Sequence, residues 1–196
     1  MTRTDGFAER LILARKARGL NQSELARAAL DPSQEYLSLD PEVRATIDSY
    51  LSEYPVRLGA MAKKLGVRVL LSTLPRGNSG QITIENDVFV IRVNRHEASH
   101  RQRATLAHEL AHFLLHRELI EQTGGWYENV LLRSGKPKEI EVAASRLSYD
   151  LILPSDLLFE AAKEYTGPMT SEIIDDLARR FKTSTGAIEY KLQLEN

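Results

Sequence analysis

Apolar residues recur at intervals of three and four along most of the chain, and at intervals of two in one stretch near its middle. Phe7, Leu11, Ile12 and Leu13, followed by Ala14 and Ala17, trace an amphipathic helix that Gly19 is placed to end. A second short helix opens at Asn21 or Gln22 and carries Leu25, Ala26 and Ala29. DPSQEYLSLDP, residues 31–41, holds two prolines and reads as a loop or short helix at a boundary. Helical spacing returns with Val43, Ile47 and Leu51. After Pro55 it continues through Leu58, Met61, Ala62 and Leu65 to Gly66.

From Val67 the period falls to two. VRVLLS reads as a strand, PRGNSG as a turn, and QITIENDVFVIRVN as two strands joined at Asn86-Asp87, a hairpin dipeptide. These predict a small antiparallel three-stranded sheet. Ser99 and Gln102 form a Ser-x-x-Gln capping box that predicts a helix through about residue 118. Gly124-Gly125 and SGKP at 134 bracket a loop-rich stretch, and a helix follows from near Pro137 to Pro154. Residues 155–165, 171–181 and 185–192 are again helical, the last two forming a helical hairpin. The pattern predicts an α+β fold in two parts: a helical amino-terminal segment, 1–45, and a domain over 46–196 whose C-terminal helices begin at about 155.

A chain of 196 residues, 42% hydrophobic and 27% charged, belongs with ordinary globular domains. Its net charge of −1 advertises no nucleic-acid partner globally. Locally, Arg3, Arg10, Arg15, Lys16, Arg18 and Arg27 outweigh the acidic residues of 1–30, whereas 31–54 carries Arg44 alone against six carboxylates. No apolar run approaches 18 residues and the N-terminus is not a signal peptide, so no membrane partner is expected. With no cysteine, disulfides and thiolate ligands are ruled out, which suits a reducing cytoplasm.

Against this ordinary background TLAHELAHFLLH, residues 105–116, is unusual. His108 and His112 lie one helical turn apart and can aim imidazole nitrogens at one point. A histidine on an apolar helix is commonly a satisfied core residue. Here Glu109 completes an HExxH frame, found by chance in about one shuffled chain in a hundred of this composition. Its neighbours Leu106, Ala107, Leu110, Ala111, Phe113 and Leu114 are apolar nearly all round. Two imidazoles and a carboxylate buried there would each cost about 1–3 kcal/mol if unsatisfied, and a divalent metal removes that difficulty. His116 sits two turns beyond His108, about 12 Å along the axis, too far to join the same ion, and reads as a helix-end residue. Three protein ligands and an open position make a catalytic zinc site, so a third ligand is expected downstream. Glu139 and Glu141 both stand at the start of a helix whose buried stripe is Val142, Ala144, Leu147 and Leu151.

Arg103 to His116, with Glu141 to Pro154 (EVAASRLSYDLILP), resembles the signature of the ImmA/IrrE metallopeptidases. The likeness extends over about residues 54–192. Departures are Ser145 for the usual Asn, Leu147 for Phe and Ser148 for Ala. The resemblance implies a zincin-like metallopeptidase domain, places the third ligand on Glu141 with Glu139 as the fallback, and implies zinc, with manganese the alternative. In such a site Glu109 is the general base, placed to take a proton from water and protonate the leaving amine. Candidate donors to the oxyanion are His96, His100, Arg103 and Tyr149. An extended substrate could add to a strand edge in the 80–94 sheet. The resemblance also implies a regulatory role, in which one cut in an XRE-type repressor releases stress, phage or mobile-element genes.

FAERLILARKARGLNQSELARAAL resembles the first two helices of an XRE-type helix-turn-helix. The segment after it, DPSQEYLSLDPEVR, is acidic and proline-bearing where a groove-reading helix wants Arg, Lys, Asn or Gln. A structural or substrate-docking role is therefore favoured for this segment over contact with DNA. The rival functions are a DNA-binding regulator with a structural metal and a metal or redox sensor on a peptidase scaffold.

Overall fold

The computed structural model describes residues 32–127, 138–165 and 169–192. The two helices expected at 7–17 and 21–29, and with them the XRE-like segment, lie outside the described residues. So does most of the loop expected between 124 and 137.

The middle of the chain forms β1 (Val67–Ser72), β2 (Gly80–Glu85) and β3 (Val88–Asn94). Asn86 and Asp87 take positive φ of 48° and 61°, the backbone a two-residue hairpin needs, and β2 pairs antiparallel with β3 in the register Glu85↔Val88 to Gly80↔Val93. The expectation of an all-antiparallel sheet is corrected at β1. That strand skips its sequence neighbour β2 and pairs parallel with β3, Val67 opposite Phe89 and Ser72 opposite Asn94. Apolar alternation identifies a strand but not its neighbour, and the seven residues between β1 and β2 are enough to carry the chain past β3. A short β4 (Gly125–Tyr127) adds antiparallel to β2, so the order is β1-β3-β2-β4. Among the described residues β3 is interior and β2 is covered by β4 over Gln81–Thr83, so the edges left for an extended substrate are β1 and β4.

Cross-strand pairs sort the sheet into two faces. Ile82–Ile91 and Ile84–Phe89 point toward the core, where Ile82 and Ile91 are fully buried. The opposite face carries Gln81, Thr83, Glu85 and Arg92. There the Arg92 guanidinium takes Glu85 in a two-pronged ion pair and, with Thr83, holds its carboxyl down at about 2.

Against the core face lies α4 (Ser99–Leu115), and α6 (Lys138–Ile152) packs across it. Phe113 of α4 meets Phe89 of β3 edge-on at 4.9 Å, and Ala107, Leu110 and Ala111 are fully buried. The predicted capping box is not formed. Ala98 is the N-cap, and Gln102 turns its amide back to donate to the carbonyls of Glu97 and Arg95 at 2.9 and 3.1 Å. α4 also stops short of residue 118: it ends at Leu115, and His116 joins it to α5 (Arg117–Thr123).

Smaller helices frame this centre. α1 (Gln34–Leu37), α2 (Pro41–Asp48) and α3 (Leu58–Lys64) precede the sheet; α7 (Ser155–Lys163), α8 (Ser171–Phe181) and α9 (Thr185–Lys191) follow α6, and α8 and α9 make the predicted hairpin. Asp150 of α6 is a junction among them, pairing with Lys191 of α9 in the interior and accepting the Ser33 N–H at 2.9 Å. Phe181 stacks on Tyr54 at 4.3 Å, while Arg180 holds Glu164 and the Tyr54 hydroxyl. No helix among the described residues is long and apolar enough to cross a membrane.

Candidate metal centre

Helical periodicity sets the first half of the site. His108 and His112 stand one above the other on α4, rings 4.7 Å apart and nearly perpendicular, with their Nε2 atoms 3.1 Å apart. The second half comes from α6, whose first turn brings Glu141 Oε2 to 3.3 Å from His108 Nε2 and 3.5 Å from His112 Nε2. Small side chains allow the two helices to face each other closely here: Ala104 and Thr105 of α4 and Ser145 and Ser148 of α6 line one cavity with His108. His112 is 1% exposed, whereas His108 and Glu141 side chains are 24% and 38% exposed, so the cluster has a buried floor and an open side.

These three side chains are the one group of metal-competent residues found among the described residues. They fit a small divalent cation. Ligand atoms on a tetrahedral ion with bonds of about 2.0–2.1 Å lie about 3.3 Å from one another, and the three separations here are 3.1, 3.3 and 3.5 Å. Glu141 Oε1 is buried and finds no hydrogen-bond partner among the described residues, a polar atom in want of a cation. The imidazoles of His108 and then His112 hold the Glu141 carboxyl well below the usual carboxylate range, so it is an anion at neutral pH.

His116 lies behind this cluster. Its Nδ1 is 3.2 Å from Nδ1 of His112, whose opposite nitrogen faces Glu141. A proton shared between the two Nδ1 atoms leaves the His112 Nε2 lone pair pointing at the site, the arrangement by which an outer partner fixes a ligand's tautomer. The helix-end reading of His116 placed it at the right point of the chain, while its repeated four-residue spacing from His112 was the sign of this contact. Glu109 is 3% exposed and packs against the start of β2. Glu139, two residues before Glu141 and so on another face of α6, is exposed and stands outside the cluster.

The four other candidate residues scatter. Tyr149 lines the cavity of about 350 Å³ beside His108 and also a second one with Glu141, and stacks on Tyr190 at 4.2 Å. His100 lines the far end of the first cavity, two turns up α4. His96 is exposed and its Nε2 meets Thr73 Oγ1 at 3.2 Å, while Arg103 donates to the Val56 carbonyl at 3.1 Å and is held below its usual range by burial. Val142, expected in the buried stripe of α6, is instead 36% exposed and lines the cavity with Glu141. Thr183 and Ser184 at the start of α9 also line the His108 cavity, and no local motif had marked them.

An HExxH helix under a small sheet, with a carboxylate supplied by a later helix, defines the zincin-like class of metal-dependent peptidase domains. Residues 62–193 match the family model described as the IrrE N-terminal-like domain, the M78 peptidases, and the chain belongs to this family. A solved structure, a Mycobacterium tuberculosis transcriptional regulator, is similar at 16% identity and a TM-score of 0.49, over 86% of this chain and 51% of that one. The chain therefore spans about half the length of that structure. No curated protein matches it.

Proposed function

We propose that this protein is a zinc-dependent endopeptidase of regulatory role, which cuts an XRE-type repressor in a reducing cytoplasm and so releases stress or mobile-element genes. The observation that carries the reading is the convergence of His108, His112 and Glu141 beside a buried Glu109 in a chain of a peptidase family. Two imidazole nitrogens and one carboxylate suit zinc better than manganese, which favours six oxygen-rich ligands. Held by these three side chains, zinc supplies Lewis acidity to the scissile carbonyl and lowers the pKa of water.

The chain's own residues supply the rest. Glu109, next to a ligand in sequence, takes the proton from the attacking water and delivers it to the leaving amine. Tyr149, which lines both cavities at the cluster, is the favoured donor to the developing oxyanion, and His100 is assigned to substrate contact farther along the cavity. His96 and Arg103 hold their elements through Thr73 and Val56. Residues 1–45 are assigned to docking of the partner and 46–196 to the peptidase domain.

The test is to incubate the zinc-loaded chain with a panel of XRE-type repressors. Wild type is expected to cut at one place, and Glu109→Gln to keep about one zinc per chain while losing at least about a hundredfold in rate. Unimpaired cleavage by Glu109→Gln would sink this mechanism, and sequence-specific DNA binding indifferent to the same substitution would put the regulator reading in its place.

A further inference from the structure

Gly80 opens β2 directly against α4. A Cβ built there would lie 2.3 Å from Thr105 Cγ2 and 3.3 Å from both Cγ and Oε1 of Glu109. Its φ is not in the left-handed region, so conformation does not require glycine; space does. The other described glycines differ: Gly59, Gly66, Gly77, Gly124 and Gly186 have nothing within 4 Å of such an atom, and Gly125 touches its neighbour strand β2.

Neither side can give way easily. The β2 start is tied to the end of β3 by the Asn94 N–H on the Ser79 carbonyl at 2.8 Å and by the Asn94 amide on the Asn78 carbonyl at 3.0 Å. On the other side α4 is wedged by Ala107, Leu110 and Ala111, all fully buried. Thr105 is β-branched and stiff at χ1. Turning it away would relieve its own clash and still leave the new methyl pressed on the Glu109 side chain.

Resting on the endopeptidase reading of Glu109, we infer that Gly80 is a positioning residue: the space left by its missing side chain sets where the Glu109 carboxylate stands relative to His108 and His112. Glu109 has to reach a water at the cluster within a few tenths of an ångström of the productive position, and the backbone of β2 is the wall that stops it on the sheet side.

Two readouts test this, one independent of activity. In metal-free protein, Gly80→Ala is expected to lower the melting temperature by about 5 °C or more. With Thr105→Ser present in both backgrounds to remove the 2.3 Å contact, adding Glu109→Ala is expected to cut the cost of the same change by more than half. An equal cost in both backgrounds overturns the inference. If Gly80→Ala with Thr105→Ser does not fold, folding of the triple variant supports the inference and its failure overturns it. In the zinc-loaded enzyme, with fluorescein-labelled casein as probe, Gly80→Ala should lower kcat at least tenfold at unchanged KM and zinc content, and Thr105→Ser should recover part of the loss. Wild-type kcat in Gly80→Ala defeats the positioning role. A wild type inactive on both casein and the repressor panel counts against the endopeptidase reading instead, and the metal-free melting comparison still decides the packing.

Discussion

Glu141 Oε2 stands 3.3 Å from His108 Nε2 although the two residues are 33 positions apart and belong to different helices. That contact joins α4 to α6 at the point where a carboxylate and two imidazoles meet, and it ties cation affinity to the packing of α6.

Substituting Glu141 should therefore empty the site while leaving its neighbour's role untouched. Glu141→Ala is expected to weaken zinc binding by at least about a hundredfold, and Glu139→Ala to leave it unchanged. Elemental mass spectrometry after zinc loading and desalting reads both. Full zinc in Glu141→Ala, or loss in Glu139→Ala, would transfer the third-ligand role.

His116 tests whether the outer partner matters. With its Nδ1 3.2 Å from that of His112, His116→Ala should lower zinc affinity by about ten- to a hundredfold without removing a direct ligand. A competition titration against a chromophoric chelator measures the change. Unaltered affinity would return His116 to a helix-end role.

Lys191 and Asp150 make a different kind of pair, with side chains 7% and 6% exposed. Lys191→Met leaves Asp150 buried with, among the described residues, the Ser33 N–H as its remaining hydrogen-bond partner, and is expected to cost about 3–5 kcal/mol in urea unfolding. Breaking the surface pair Arg179–Asp176, by Arg179→Ala, should cost less than about 1 kcal/mol. Equal effects would show that the interior pair is no more than a surface contact in energy.

Much of the site was legible because its information is local. The four-residue spacing of His108 and His112 projects directly into a shared face, and Asn86-Asp87 specifies its own turn. Glu141 was reached differently, since spacing left it level with Glu139 and only the resemblance separated them. Tertiary relations were less readable. Alternation in VRVLLS says that one side is apolar, and nothing in it distinguishes a parallel partner from an antiparallel one. β4 spans only Gly125–Tyr127, too short for a period to register. Ser99 and Gln102 matched a capping pattern, but the carbonyls of Arg95 and Glu97 in the preceding turn offered Gln102 better partners. Gly80 carries no motif, because its importance lies in Thr105 and Glu109 on another element.

The unequal exposure of the cluster bears on how a cation arrives and departs. His112 belongs to the wall formed by α4 and the sheet, whereas Glu141 stands at the rim, on the first turn of a helix, beside the cavity that Val142 and Tyr190 also line. An ion held by the three side chains would be reached from solvent past Glu141 and His108, on the side where the cluster is open. Its exchange would then not require global unfolding, and a chelator is expected to strip the site while the hydrophobic interior stays shut.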